Sequence, residues 1–171
     1  MIVTPRTALL AVAVTAALAG CGSSGGGGTS TRTTAPSAAT PSLHAADPAT
    51  TAAISKAYAT FFGSASSVQQ SEAALQHGAD FAAVLVAQGK TSYASKSSAT
   101  VSSVMLRSAD VATLRFTISS NGASLLKDTP GFAVREGGTW KVAAGTFCAL
   151  LTLEGSPPSA CKDTTITALP H

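Results

Sequence analysis

The chain has 171 residues, of which 45% are hydrophobic and only 11% charged, with a formal net charge of +3. Its basic residues stand singly among Asp and Glu, without the Lys/Arg cluster that phosphate neutralisation requires, so nucleic acid is not an expected partner. All nine aromatic residues lie beyond residue 57, so only the later part can build an aromatic core, and it is long enough for one domain.

Residues 1–20 read as an export signal, with Arg6 giving a positive start and an apolar run from Ala8 to Ala19. That run is shorter than the roughly 20 apolar residues of a membrane-spanning helix. It ends in Leu18-Ala19-Gly20-Cys21, the lipobox pattern of bacterial lipoproteins. Small residues before the Cys let a peptidase approach, and a Cys thiolate is the nucleophile that takes up diacylglycerol. Cys21 is therefore the expected lipidation site and the first mature residue. Two acyl chains, at about 0.8 kcal/mol per buried CH₂, give stable anchoring where one chain is marginal. The competing reading is a plain secretory peptide with Cys21 merely near the cut. The expected address is the outer face of the cytoplasmic membrane, within the cell envelope, and shedding of a fraction is compatible with it.

Residues 21–46 form the lipidated Cys and a tether, with Gly25 to Gly28 in a row, then Thr29, Thr31, Thr33, Thr34 and several Pro. Apart from Pro, Leu43 is the only apolar residue there larger than Ala. Such a stretch cannot bury enough surface to offset ordering entropy, so it is expected to be disordered. A flexible tether of this length spans on the order of 25–30 Å. Its Ser, Thr and Pro would also suit O-linked sugars.

The domain, residues 47–171, opens on a helix signal: Asp47 suits the cap and Pro48 the first turn. Ile54, Tyr58, Phe61 and Phe62 then share one helical face, and Gly63 is the natural stop. Ser67 and Gln70 have the spacing of a capping box for a short second helix, ended by His77-Gly78. Phe81, Val84, Leu85 and Gln88 repeat the helical spacing in a third helix closed by Gly89. Beyond a polar stretch with Tyr93, the period becomes two. Val104 and Leu106 end one strand, and Ala109-Asp110 lie near its turn. Leu114, Phe116 and Ile118 point one way, and Thr113, Arg115 and Thr117 the other. Asn121-Gly122 signals a hairpin, although the strand after it reads as short. Phe132 and Val134 alternate with Ala133 and Arg135, and Gly137-Gly138 turns the chain into Thr139-Trp140-Lys141-Val142. Helices followed by an antiparallel meander imply an α+β fold, with helices on one face of the sheet.

Cys148 and Cys161 flank Ser156-Pro157-Pro158, which can turn the chain back on itself. An exported domain sits where disulfides persist, so this pair is the expected bridge. Free thiols or a metal pair are the alternatives, weakened because no His or third Cys has ligand spacing.

One segment carries a resemblance: Gly137-Gly138-Thr139-Trp140-Lys141-Val142-Ala143-Ala144-Gly145-Thr146-Phe147-Cys148-Ala149-Leu150-Leu151. Together with Ala59-Thr60-Phe61-Phe62-Gly63 and the run from Ser97 to Val104, it resembles the C-terminal domain of the actinobacterial low-molecular-weight secreted protein antigens. The likeness covers about residues 47–161. It implies helices packed on a curved sheet, cystatin-like or nuclear-transport-factor-like, with no known enzymatic activity and no catalytic residue to carry over. The lipobox departs from simple secreted members.

Chemistry-bearing residues are sparse. His44 falls in the tether and His171 is last, which leaves His77, three residues before Asp80, as the one acid–base candidate. The plainer reading is a His at a helix end, where positive charge is favoured. Asp110, Asp128 and Glu136 read as solvated acids at strand ends or turns. The Gly run precedes no Lys-Ser/Thr, so it is no phosphate loop, and no nucleophile elbow is present. No cofactor or metal is expected. Tyr58, Phe61, Phe81, Phe116 and Trp140 would line a cavity between helices and sheet, or else fill a solid core, which is the commoner outcome. Lys141 and Arg115, on the opposite parity, should face solvent or a partner. The expected function is a membrane-anchored, non-catalytic binding or interaction domain whose partner is an envelope protein or an apolar small molecule. The alternative is a small hydrolase or isomerase that uses the cone between helices and sheet.

Overall fold

The computed structural model describes residues 43–88, 97–155 and 157–163. The export signal, Cys21, the tether up to residue 42, Gly89, Tyr93 and His171 lie outside them.

Asp47 caps the first helix, α1 (Pro48–Phe62), by accepting the N–H groups of Ala49 and Thr50 at 2.9 and 3.0 Å. The apolar stripe buries Ile54, Ala57, Tyr58 and Phe61, with Phe62 partly covered. Gly63 ends the helix for a reason other than a left-handed turn. Its backbone is extended, and a Cβ there would sit 2.3 Å from the Ala59 carbonyl oxygen. Both capping-box bonds form at α2 (Val68–Ala74), between Ser67 and Gln70. His77 then takes a left-handed conformation, φ 52°, and opens a 3-10 turn (Gly78–Phe81) that runs into α3 (Ala82–Gln88). Phe81 and Leu85 anchor that corner in the core.

Among the described residues, five antiparallel strands follow the chain in order: β1 (His44–Ala45), β2 (Ser97–Leu106), β3 (Val111–Ser120), β4 (Ala123–Glu136) and β5 (Thr139–Val142). Leu114, Phe116 and Ile118 are buried as their alternation requires, and Arg115 is exposed. The α+β layout stands.

Three expectations need correction. The tether is expected to stay disordered to residue 46, yet His44 and Ala45 pair with Leu106 and Met105 on the edge of β2. The strand after Asn121-Gly122 is the longest of the five rather than short. Its first half is mostly exposed, the apolar Leu125 included, and extra residues shift the β3–β4 register twice, so period-two alternation is lost there. Asp128 lies inside that strand, with φ 49°, and not at a strand end or turn.

A fourth helix, α4 (Ala144–Leu153), has no counterpart among the elements read from the sequence. It buries Ala144, Thr146, Phe147, Cys148 and Leu151. A 3-10 turn (Ser159–Lys162) brings Cys161 back to Cys148, and the two form the expected disulfide with Cα atoms 5.4 Å apart.

Candidate functional site

The interior is packed ring against ring. Tyr58 and Phe116 stand 5.1 Å apart between centroids, Phe61 lies 5.1 Å from Phe147, and Phe147 lies 5.5 Å from Phe81. Tyr58, Phe81 and Phe116 are wholly buried and Phe61 almost so. Gly131 shows how close the fit is: a Cβ there would meet Phe116 Cε1 and the Tyr58 hydroxyl oxygen, both at 2.8 Å. Four of the five residues named as cavity lining therefore fill the core. Trp140 belongs to that core too, but it also borders a groove on the surface.

Polar groups inside are paired. The Tyr58 hydroxyl donates to the Phe132 carbonyl at 2.8 Å, and burial pushes its ionisation well up from the ordinary phenol value. Thr146 Oγ1 accepts the N–H of Phe132 at 2.8 Å. Gln76 joins two elements. Its N–H donates to the Val142 carbonyl on the outer edge of β5, and its side-chain oxygen accepts the N–H of Ala144. Ala143 offers α4 no side-chain cap, so Gln76 supplies one from a distant part of the chain. Neither Gln76 nor Thr146 stands out in the sequence, because each acts through tertiary contacts.

Two depressions flank α2. The first, about 520 Å³, is lined by Glu72, His77, Asp80, Glu136 and Lys141, among others. His77 and Asp80, the acid–base candidates, thus reach one depression. The His77 ring, however, faces Glu136: Nδ1 lies 3.8 Å from one carboxylate oxygen, while Lys141 donates to the other at 2.5 Å. Partial burial raises the Glu136 carboxyl, but the Lys141 hydrogen bond and charge, with His77 behind them, outweigh it and hold the group below the usual carboxylate range. Lys141 therefore meets an intramolecular partner. So does Arg115, which donates to Asp128 at 2.7 Å and holds that carboxyl below its usual value. Among the described residues, no group of His, Cys, Asp and Glu is arranged to hold a metal ion.

The second depression, about 410 Å³, lies where α1, α2 and β5 meet. Ala53, Ala57, Ala73, Ala74 and Trp140 give it apolar walls, and Lys56 stands among the lining residues. Ala73 lines both depressions, so they adjoin across α2.

Helices on an antiparallel sheet, a ring-packed interior and one disulfide define a small α+β domain. Residues 47–158 match the family of the low molecular weight antigen MTB12, C-terminal domain. The chain belongs to that family, over nearly the span where the resemblance was read. No curated protein and no solved structure matches it.

Proposed function

We propose that this chain is an exported lipoprotein, acylated at Cys21, whose domain works as a non-catalytic binding module at the outer face of the cytoplasmic membrane. The observation that carries the binding part is the filled interior. With Tyr58, Phe61, Phe81 and Phe116 packed against one another, a partner is met on the surface. That favours a protein of the envelope over an apolar small molecule held between helices and sheet. The disulfide supports an oxidising compartment, and membership of an antigen family agrees with an extracytoplasmic place. The lipobox supports the anchor.

Native mass spectrometry of protein extracted gently from its own membranes tests the binding mode. A surface binder carries no stoichiometric apolar ligand inside the domain. A bound lipid that survives removal of the anchor would restore the interior-cavity reading.

One observation favours the catalytic alternative: His77 and Asp80 line one depression with Lys141 and Glu136. An acid–base enzyme of this kind loses its turnover in His77→Ala with the fold intact. The binding reading expects the variant to keep whatever partner the wild type holds.

A further inference from the structure

We propose that the groove beside Trp140 receives an extended, acidic polypeptide segment, which pairs with the outer edge of β5 at Trp140 and places an apolar side chain between α1 and α2. The inference deepens the binding reading above and rests on it.

The first observation is the direction of the β5 backbone. Glu136 and Thr139 close the Gly137-Gly138 hairpin, and Ala143 N–H donates to Phe132 at 3.0 Å, so the odd-numbered residues of β5 bond to β4. Val142 points the other way, and its carbonyl is taken by Gln76 N–H at 2.9 Å. Trp140, two residues earlier, shares that outward direction. Leu75 and Gln76 cover the edge at Val142, and no described residue bonds the N–H or C=O of Trp140. Trp140 is thus the one outward-facing residue of β5 left for pairing with another extended chain.

The second observation is what lies beside that edge. Thr139 and Trp140 line a groove whose walls are Ala53, Ala57, Ala73 and Ala74, with small side chains that leave about 410 Å³. A strand paired at Trp140 would send alternate side chains into this space, which suits an apolar residue of Leu or Met size. No acid is among the lining residues.

Charge selects the occupant. Lys56 lines the groove, and Arg135 stands opposite Trp140 in the β4–β5 pair. Neither forms an ion pair with a described residue. Carboxylates flanking the inserted apolar residue complete this arrangement, whereas Lys or Arg there would be repelled.

Trp140 is the only Trp in the sequence, so all Trp emission comes from this position beside the groove. The full chain is titrated with a short peptide alternating Leu and Glu, with the same peptide N-methylated on its Leu amides, and with one alternating Leu and Lys. The proposal expects a saturable change in Trp140 emission with the first peptide only. Lys56→Glu is expected to weaken it about fivefold. Ala53→Arg, at an exposed helical position, should abolish it by filling the groove. An equal response to the Lys peptide overturns the charge selection, and an equal response to the methylated peptide overturns the strand addition. No saturable change with any peptide overturns the groove as a docking site. The anchored lipoprotein would survive that result, because its own test reads acylation.

Discussion

The side-chain oxygen of Gln76 accepts the N–H of Ala144 at 3.1 Å, so the residue that leaves α2 caps a helix 68 positions further on. Gln76 is buried, and its backbone N–H also holds the outer edge of β5 at Val142. Gln76→Ala leaves the Ala144 N–H without a partner in the interior, at a cost of about 1–3 kcal/mol. Urea denaturation should show the midpoint falling with an unchanged slope. A midpoint equal to the wild type would mean that α4 needs no such cap.

Gly131→Ala should destabilise for a different reason. Its new methyl would press on the Phe116 ring and the Tyr58 hydroxyl, each 2.8 Å away, and a tightly packed core yields only with strain. The expected loss is about 1–3 kcal/mol. Gly122→Ala provides the contrast, since nothing lies within 4 Å and only its φ of +80° resists the substitution. Melting temperatures of the two variants separate a packing cost from a backbone cost.

Reduction of the Cys148–Cys161 bridge frees the chain between α4 and the 3-10 turn at Cys161. In the loop-entropy account, a closed loop of this size stabilises by about 3 kcal/mol. Denaturation with and without a reductant measures that difference directly. No difference would show that α4 and that turn hold each other without the bond.

Glu136 predicts an acid-side dependence. Its carboxyl is held below the ordinary value in the folded chain, so its contribution is fully present above the unfolded pKa of about 4.5. It is lost as pH falls through the lower folded value. Glu136→Gln should therefore flatten part of the decline in stability below about pH 5, when denaturation midpoints are compared across pH. An unchanged slope would leave the pairing with Lys141 and His77 without thermodynamic weight.

Local signals made the first half of the domain legible. The Asp47 cap, the Ser67–Gln70 capping box and the aromatic stripe of α1 are each written within a few neighbouring residues. The alternation of β3 is equally local, and so is the Asn121-Gly122 turn. What escaped depends on distant partners. α4 has its cap supplied by Gln76 and a mostly apolar sequence, so neither start signal nor amphipathic period marks it. β1 consists of two residues that become a strand only because the edge of β2 lies beside them. The same holds for the site. Trp140 was readable as an important aromatic, but the groove beside it arises from α1 and α2 meeting β5, and no spacing along the chain encodes that.

The account turns on acylation of Cys21, and metabolic labelling with a clickable fatty acid tests it most directly. Wild-type protein should take up the label and fractionate with membranes, while Cys21→Ala should remain unlabelled. Unlabelled wild-type protein released whole into the medium, or equal label on both forms, would contradict it.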